Sequence, residues 1–348
     1  MASDAVIVNV ASYPLSNGLL RALPGTVRDG LRMGNWLRAT NADMAIEGFA
    51  WPRAAQGSEQ NPAPWNKFGI EAKMQQLLQM GLNKTRKRLF FYASAHGKLI
   101  NTWPAMPAVY CASHGGGLPD LFASGGWVPV FVSADIYDEY ICLFDCCNEW
   151  TPDGPPPFVQ PGNLQPRQTL PYALVMAACQ VNQQALDTPT GGVFTDVLLE
   201  ALSGSAGKPG QIEVSAADVV AYVKENVPIR AGQIKAGHVQ TPVVWIDPNL
   251  HADIDKFKLF DRQPVAAVDV TALLAGRSAS DVEVLGSDLE PVGRLLARSG
   301  GAAQLPTLYP GKYVLRCQAD GWRQPVRLKT TVEDEGSVVA KAEPIGAA

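Results

Sequence analysis

A histidine and a cysteine, each at the end of an apolar segment, are the two residues of this sequence best suited to chemistry. The segment LFFYASAHG ends in His96-Gly97, and the segment YICLFDCC ends in Asp145-Cys146-Cys147. If both segments are strands of one parallel sheet, their carboxyl ends meet at the same edge, where ligands bind. A thiol with an ordinary pKa of about 8.5 is mostly protonated at neutral pH and needs a neighbouring base to react. The pattern predicts nucleophilic catalysis by Cys147, with His96 as the base.

The glycine after the histidine fits the same chemistry. The amide of Gly97 is not shielded by a side chain, and together with the amide of Cys147 it can form a two-donor oxyanion hole. Two other residues are also candidates for these roles. Cys146 is a second candidate nucleophile, although adjacent residues of a strand point to opposite faces. His114 is a second candidate base, because VYCASHGG is also an apolar segment that runs into His-Gly.

The composition is that of a folded protein without a strongly charged surface. Of the 348 residues, 47% are hydrophobic and 18% are charged, and the net charge is −4. A dedicated nucleic-acid-binding protein usually has a basic face, so we expect no nucleic-acid partner. The start MASDAVIVNVASYP lacks the basic region of an export signal, and no segment has the ~18 apolar residues of a membrane span. We expect a cytoplasmic protein without a membrane partner, with its six cysteines as free thiols and no zinc site.

The first two thirds of the chain alternate between predicted strands and helices. The predicted strands are 5–10, 89–92, 128–132, 140–144, 174–178 and 243–246, and the predicted helices are 26–38, 70–80, 194–202 and 216–224. This alternation is typical of an α/β fold in which a mainly parallel sheet is flanked by helices. The first strand is not followed by a Gly-x-Gly-x-x-Gly sequence, which argues against a nucleotide-binding enzyme of this class.

The character of the sequence changes near residue 261. The short apolar segments VAAVDV, VEVL, LYPGKYVLRC and VRLKTTV alternate with turn residues, which predicts a small C-terminal antiparallel β-sandwich. We therefore predict two domains, a catalytic domain over residues 1–258 and a regulatory domain over residues 259–348. A proline-rich stretch at 150–170 is predicted to be an exposed linker inside the first domain.

Several of these motifs together resemble the caspase and metacaspase type of cysteine peptidase. The matching segments, in the order of the family, are Ser94-Ala95-His96-Gly97, Asp145-Cys146-Cys147, Gly192-Val193-Phe194-Thr195 and the closing QTPVVWI. The resemblance covers about residues 5–250 and implies the caspase-hemoglobinase fold. It implies that Cys147 is the nucleophile rather than Cys146, and that His96 is the general base rather than His114. The reaction would be peptide hydrolysis through a thioester, with Gly97 and Cys147 as the oxyanion hole, and with no metal or other cofactor needed for the chemistry.

The resemblance also implies a substrate specificity. In metacaspases, an acid two residues before the nucleophile and an acid in the first helix line the pocket for the residue before the cleaved bond. Their counterparts here are Asp145 and Asp29. Two carboxylates in a semi-buried pocket favour a cationic guest, so we expect cleavage after Arg or Lys. For Asp29 the alternative is a helix N-terminal acid, and for Asp138 and Glu139 a solvated strand edge is favoured over the pocket.

The chain departs from the family at two positions of the expected site. Asn148-Glu149-Trp150 follows the nucleophile where metacaspases have His-Ser-Gly, and Ala95 replaces a glycine. These departures keep open an alternative function, a catalytically weak caspase homologue that senses a ligand or serves as a scaffold. The linker contains Arg167, which is a candidate for self-cleavage, with an uncut surface loop as the alternative.

Relatives of this type in bacteria often act in antiviral defence or cell death under the control of a signal. We therefore expect a regulated effector whose partners are protein or peptide substrates. The C-terminal domain is the expected place for an activating partner or ligand, such as Ca²⁺ or a small signalling molecule.

Overall fold

The computed structural model describes most of the chain, and every structural statement below concerns these residues. They are 3–14, 16, 18–41, 43–51, 67–81, 86–100, 106–112, 120–134, 136–150, 171–208, 211–245, 254–265, 268–286, 289–298, 302–332 and 338–345. The α-helices are α1 (Gly25–Thr40), α2 (Lys67–Gly81), α3 (Trp127–Ser133), α4 (Val193–Glu200) and α5 (Ala216–Ile234). A π-helix, Ala201–Ser205, follows α4, and short 3₁₀ helices cover Thr271–Leu273 and Ala279–Asp281.

The strands are numbered in chain order. The first thirteen are β1 (Ser3–Val10), β2 (Met44–Trp51), β3 (Arg86–Ser94), β4 (Gly97–Ile100), β5 (Met106–Tyr110), β6 (Leu121–Phe122), β7 (Tyr137–Asp145), β8 (Glu149–Trp150), β9 (Tyr172–Ala177), β10 (Asp187–Thr188), β11 (Gly191–Gly192), β12 (Glu213–Ser215) and β13 (Val243–Trp245). The others are β14 (Lys258–Asp261), β15 (Val282–Leu285), β16 (Pro291–Arg294), β17 (Leu296–Ala297), β18 (Ala303–Gln304), β19 (Gly311–Cys317), β20 (Arg323–Val332) and β21 (Val338–Pro344).

A six-stranded sheet with the order β13-β9-β7-β3-β1-β2 forms the centre of the first part of the chain. The pairs from β2 across to β9 are all parallel, and only β13 pairs antiparallel. Because helices cover both faces, both sets of alternating side chains are buried in the middle of the sheet, and β1, β3, β7 and β9 each contain a continuous apolar run. The strand order changes direction between β1 and β3, and the crevice at such a switch point is where ligands bind in sheets of this class.

The predicted α/β class with a mainly parallel sheet is confirmed. The predicted helices correspond to α1, α2, α4 and α5, and the predicted strands at 5–10, 89–92, 140–144, 174–178 and 243–246 correspond to β1, β3, β7, β9 and β13. The edge strand β2 was not predicted. Its sequence, MAIEGFAW, contains Glu47 and Gly48, and both positions are exposed at the edge of the sheet, so the segment lacks the apolar run of the central strands.

The prediction of a strand at 128–132 is wrong, because this segment lies in helix α3. The three valines of WVPVFVS favour a strand by local preference. In the fold, the segment packs into the apolar core, and five of its seven residues are buried, including Trp127 and Phe131 one helical turn apart with ring centroids 5.9 Å from each other. Pro129 lies in the first turn of α3, where its missing amide hydrogen is tolerated. Tertiary packing therefore overrides the local preference.

The C-terminal part contains an antiparallel sheet of five strands with the order β16-β15-β19-β20-β21 and a two-stranded ladder, β17-β18. Alternate residues of β19 are buried, with Tyr313, Leu315 and Cys317 in the core. This confirms the predicted antiparallel character. The segment VAAVDV was expected to belong to it as a regular apolar segment, and its described residues form isolated bridges at Val265 and Asp269.

The contacts divide the chain into two compact units. One contains Met1–Val197 and Val223–Phe257, and the other contains Leu198–Tyr222 and Lys258–Ala348. The second unit thus includes a stretch that the sequence places in the catalytic domain, and the division at 258/259 stays a prediction. All six cysteines are free thiols. Among the described helices, none has the length and apolar character required to cross a bilayer.

Candidate functional site

Strands β3 and β7 bring the two predicted catalytic residues to one edge of the central sheet. The strands are paired in register up to Ser94 and Asp145, and the amide of Ala95 donates to the carbonyl of Asp145 at 3.3 Å. His96 and Cys147 therefore both follow the carboxyl ends of neighbouring strands. They line one pocket, together with Arg21, Leu23, Thr26, Ser94, Ala95, Asp145, Ala185, Asp187 and Gly192.

The chain segments that follow the two residues also pair with each other. β4 starts directly after His96 and β8 starts two residues after Cys147, and they form a parallel ladder with Lys98 opposite Glu149. β4 also pairs with β5 in a small sheet of the order β6-β5-β4-β8. The histidine and cysteine segments are thus joined by hydrogen bonds on both sides of the site, which limits their relative movement.

Hydrogen bonds fix both the backbone and the ring of His96. Its amide donates to the hydroxyl of Tyr13 at 2.8 Å, and that hydroxyl donates to the carbonyl of Val10 at 3.2 Å. The ring nitrogen Nε2 lies 2.9 Å from the carbonyl oxygen of Arg21. A carbonyl oxygen can only accept, so this contact places the proton of a neutral ring on Nε2 and leaves Nδ1 as the basic nitrogen. In a neutral ring, Nδ1 is therefore the nitrogen that carries the lone pair.

The two adjacent cysteines have different surroundings. Cys146 is buried, with 1% of its surface exposed, whereas Cys147 is partly exposed and lines the pocket. A Cβ atom at Gly97 would lie 2.6 Å from Cβ and 2.7 Å from Sγ of Cys146, so only glycine fits at this position. Burial raises the pKa of the Cys146 thiol well above its ordinary value, which keeps it protonated. These facts favour Cys147 as the reactive thiol, an assignment that stays a prediction.

Asp145 is a buried carboxylate that lines the pocket. Its Oδ2 accepts hydrogen bonds from the amide of Thr195 at 3.2 Å and from the hydroxyl of Thr195 at 2.6 Å. Because the threonine hydroxyl donates to Asp145, the hydroxyl of Tyr92, 2.6 Å away, is the donor to Thr195. Burial raises the pKa of Asp145 to about 7, although the hydrogen bonds from Thr195 oppose the shift.

Asp29, the other predicted pocket acid, is buried beside the pocket and is not among the described residues that line it. It is the fifth residue of α1, so the alternative of a helix N-terminal acid does not describe its position. Its Oδ2 accepts from the amide of Gly192 at 2.8 Å, and Arg32 lies 3.8 Å from its Oδ1. Burial, followed by the nearby Asp145, raises the pKa of Asp29 well above its ordinary value. Its role in substrate binding stays a prediction.

Asp187 is a pocket residue that the sequence analysis missed. It lies in β10, which pairs with β11 so that Asp187 is opposite Gly192, and its side chain lines the pocket. Burial raises the pKa of Asp187 to about 6, against the opposing effects of the Gly25 amide and of Arg21. The only signal in the sequence is its position shortly after strand β9, in the turn-rich segment LDTPTGG. The pocket therefore has two carboxylates in its wall, Asp145 and Asp187.

The remaining predicted residues are either outside the described part of the chain or away from the pocket. His114 and Arg167 are outside the described residues. Glu139 is at the opposite end of β7 from Asp145, where its carboxylate pairs with Arg88 at 2.7 Å. Within the part of the chain that the structure describes, there is no group of three or more His, Cys, Asp or Glu side chains arranged to hold a metal ion.

Comparisons with known proteins find similarity in three-dimensional structure. Caspase-1 from Spodoptera frugiperda aligns with a TM-score of 0.48 and 14% identity, over 70% of this chain and 85% of that one. A protein from Geobacter sulfurreducens aligns with a TM-score of 0.44 and 12% identity, over 74% of this chain and all of that one. No family model and no curated protein match the sequence.

Proposed function

We propose that this protein is a cysteine endopeptidase of the caspase type that cleaves peptides after Arg or Lys. The observation that carries the proposal is the pocket itself: His96 and Cys147 line it together with the carboxylates of Asp145 and Asp187. A base, a partly exposed thiol and a negatively charged wall in one cavity are the groups required for this reaction.

The proposed reaction starts with transfer of the Cys147 thiol proton to Nδ1 of His96. The thiolate sulfur attacks the carbonyl carbon of the peptide, and the carbonyl oxygen becomes an oxyanion that accepts hydrogen bonds from the amides of Gly97 and Cys147. His96 then gives its proton to the leaving amine as the C–N bond breaks, which leaves a thioester on Cys147. A water molecule, deprotonated by His96, attacks the thioester, and the thiol is regenerated with release of the acid.

The electrostatics of the pocket support the basic specificity. Asp145 is buried and Asp187 is half-buried, and burial raises the pKa of both because it disfavours the charged form. Burying a charge without a partner is costly, and a guanidinium or ammonium group from the substrate would remove that cost. Arginine has the further advantage that its planar group can bind two carboxylates at once.

The proposal is tested with fluorogenic peptides that end in Arg, Lys, Gln or Asp and are otherwise identical. We expect hydrolysis after Arg and Lys that exceeds hydrolysis after Gln by about 100-fold or more in kcat/KM, because the neutral analogue leaves the buried carboxylates unpaired. Cleavage after Asp should be slower still, since a like charge would be buried beside Asp145. Equal cleavage after Gln and Arg, or a preference for Asp, would show that the proposed specificity is wrong.

The preference for Arg should also depend on pH. Asp145 and Asp187, with pKa values of about 7 and about 6, are neutral at low pH and become ionised as the pH rises. We expect the ratio of kcat/KM for the Arg peptide to that for the Gln peptide to rise from pH 5 to pH 8, because ionisation adds attraction for Arg alone. Any change in the rate of the chemical steps that both peptides share cancels in the ratio. A ratio that does not vary with pH would contradict the assignment of these carboxyls to the pocket.

The biological setting is also part of the proposal. A cytoplasmic, regulated effector of bacterial defence or cell death, switched by a ligand at the C-terminal domain, is supported by the family resemblance of the sequence alone. A latent enzyme of this kind would need its signal, so the peptide assays are to be run with and without Ca²⁺.

A further inference from the structure

We propose that Asn148, where metacaspases have a histidine, is a positioning residue that fixes the backbone of Cys147 against the loop 179–183. The catalytic meaning of this inference rests on the proposed function, whereas the contacts of Asn148 do not depend on that function. The residue after the nucleophile is fully buried and is held by hydrogen bonds on three of its polar groups.

Among the described residues, the hydrogen bonds of Asn148 go to one loop. Its side-chain Nδ2 donates to the carbonyl of Cys179 at 2.5 Å, and its backbone amide donates to the carbonyl of Gln183 at 3.4 Å. Its own carbonyl accepts from the amide of Asn182 at 3.0 Å. The Nδ2 atom and both main-chain groups of Asn148 are therefore bonded to the loop, whereas the buried Oδ1 atom has no hydrogen-bond partner among the described residues. A shorter or charged side chain would lose the bond from Nδ2.

The peptide group on the other side of Cys147 is held by the same loop. The thiol of Cys179 lies 3.5 Å from the carbonyl oxygen of Cys146 and 3.2 Å from that of Gln183. The Cys146 carbonyl belongs to the same planar peptide group as the amide of Cys147, the proposed oxyanion donor. The Asn148 amide belongs to the next peptide group. Since both planes around Cys147 are held, the backbone dihedrals that direct its Sγ and its amide are restricted.

The loop has its own internal support. The Oε1 atom of Gln183 accepts from the amides of Gln180 at 3.3 Å and Thr241 at 2.8 Å, and the amide of Gln183 donates to the carbonyl of Gln180 at 3.1 Å. Asn182 adopts a φ of 62°, which asparagine tolerates better than most residues. The loop then continues to Ala185 and Asp187, which line the pocket. Asn148 therefore connects the nucleophile to the wall that would hold the substrate.

The proposal is tested by replacing the side chain that makes the contacts. In Asn148→Ala the side-chain bond is lost, and in Asn148→Asp a carboxylate faces the Cys179 carbonyl and repels it. A misplacement of reacting groups by ~1 Å costs up to about 100-fold in rate. We expect kcat for the Arg peptide to fall by about 10- to 100-fold with KM within about threefold of wild type. Val181→Ala, an exposed position on the same loop, serves as the matched control and should leave both constants unchanged.

A second measurement does not require peptidase activity. Iodoacetamide alkylates the thiolate of Cys147, and mass spectrometry of the peptide that contains Cys147 gives the alkylation rate. The pH dependence of this rate reports how strongly the neighbouring base stabilises the thiolate. We expect the profile of Asn148→Ala to move to higher pH, by about one unit, because the thiolate loses its aligned neighbour. Cys179→Ala should shift it in the same direction. A buried carboxylate can unfold a protein, so thermal melting is recorded for each variant. If Asn148→Asp does not fold, Asn148→Ala and Cys179→Ala test the positioning role.

The outcomes separate the two proposals. If the wild type hydrolyses no peptide but Asn148→Ala still shifts the alkylation profile, the positioning role stands and the proposed peptidase function fails. If the folded variants match the wild type in alkylation, and in kcat where peptides are cleaved, Asn148 is only a packed residue and the inference is wrong.

Discussion

The variant Cys147→Ala is expected to lose hydrolysis of Arg and Lys peptides, by about 10⁴-fold or more in kcat, and His96→Ala is expected to lose nearly as much. Removing either residue of the pair removes most of the rate enhancement that the pair provides. A thiol without a base is mostly protonated, and a base without a nucleophile has nothing to activate. The measurement is the initial rate with the fluorogenic Arg peptide at saturating concentration. KM for any residual activity should change little, because the carboxylate wall of the pocket is intact.

Cys146→Ala is the matched control for this experiment, since it removes the same group from the adjacent residue. Cys146 faces Gly97 in the interior, so its loss should leave hydrolysis within a few-fold of wild type. It should lower the stability by about 1 kcal/mol, the usual scale for a small buried group. Full activity of Cys147→Ala together with an inactive but folded Cys146→Ala would exchange the roles of the two cysteines and contradict the account.

The variant Asp145→Asn is expected to lose the preference for basic residues. The amide keeps the shape of the carboxyl group and can still accept the two hydrogen bonds from Thr195, while the charge is removed. A hydrogen bond to a charged group is worth about 1.5–3 kcal/mol, which corresponds to roughly 10- to 150-fold in kcat/KM. We expect a loss of this size for the Arg peptide and little change for the Gln peptide. Asp187→Asn should show a smaller loss in the same direction, because Asp187 is less buried.

The same variant should be more stable than the wild type at high pH. The folded pKa of Asp145, about 7, lies above the unfolded value, so the folded protein binds this proton more tightly. The stability that the group contributes is present below pH ~4 and is lost as the pH rises towards 7. At pH 8 the wild type holds a buried charge that Asp145→Asn lacks. We expect the variant to melt at a higher temperature than the wild type at pH 8, by about 2–4 °C for each kcal/mol of added stability. The difference should be smaller at pH 5.

Asp138→Asn is the matched control for both effects, because it lies on the same strand at the end away from the pocket. It should change neither the preference for Arg nor the pH dependence of melting. A loss of selectivity in Asp138→Asn as large as that in Asp145→Asn would mean that the effect comes from net charge rather than from the pocket. A lower melting temperature of Asp145→Asn at pH 8 would contradict the raised pKa.

The sequence was sufficient to predict the strands that position the site, because burial on both faces leaves a strong pattern. LFFY and YICLF are apolar throughout since residues such as Phe90 and Phe91, on opposite faces of β3, are both in the core. Once both are strands of a parallel sheet, His96 and Cys147 must lie at the same edge. The register that aligns Ser94 with Asp145 could not be predicted, because it depends on the pairing of strands far apart in sequence.

The rest of the pocket could not be predicted because it depends on contacts between distant segments. Asp187 stands in a turn-rich segment like many solvated aspartates, and its position in the pocket depends on the pairing of β10 with β11. Asn148 looks like a departure from the family in sequence, whereas its burial and its bonds to the loop 179–183 are visible only in three dimensions. Asp29 shows the reverse case, since its sequence position suggested the pocket wall and its side chain is buried beside it.

The central claim is that Cys147 is a nucleophile activated by His96 in a pocket that binds a cationic side chain. A peptide chloromethyl ketone that ends in Arg tests all three parts at once, with the site of modification read by mass spectrometry. We predict one modified residue, Cys147, labelled much faster by the Arg reagent than by the matching Gln reagent, and labelled slowly in His96→Ala. Labelling on Cys146, equal labelling by both reagents, or undiminished labelling in His96→Ala would contradict the account.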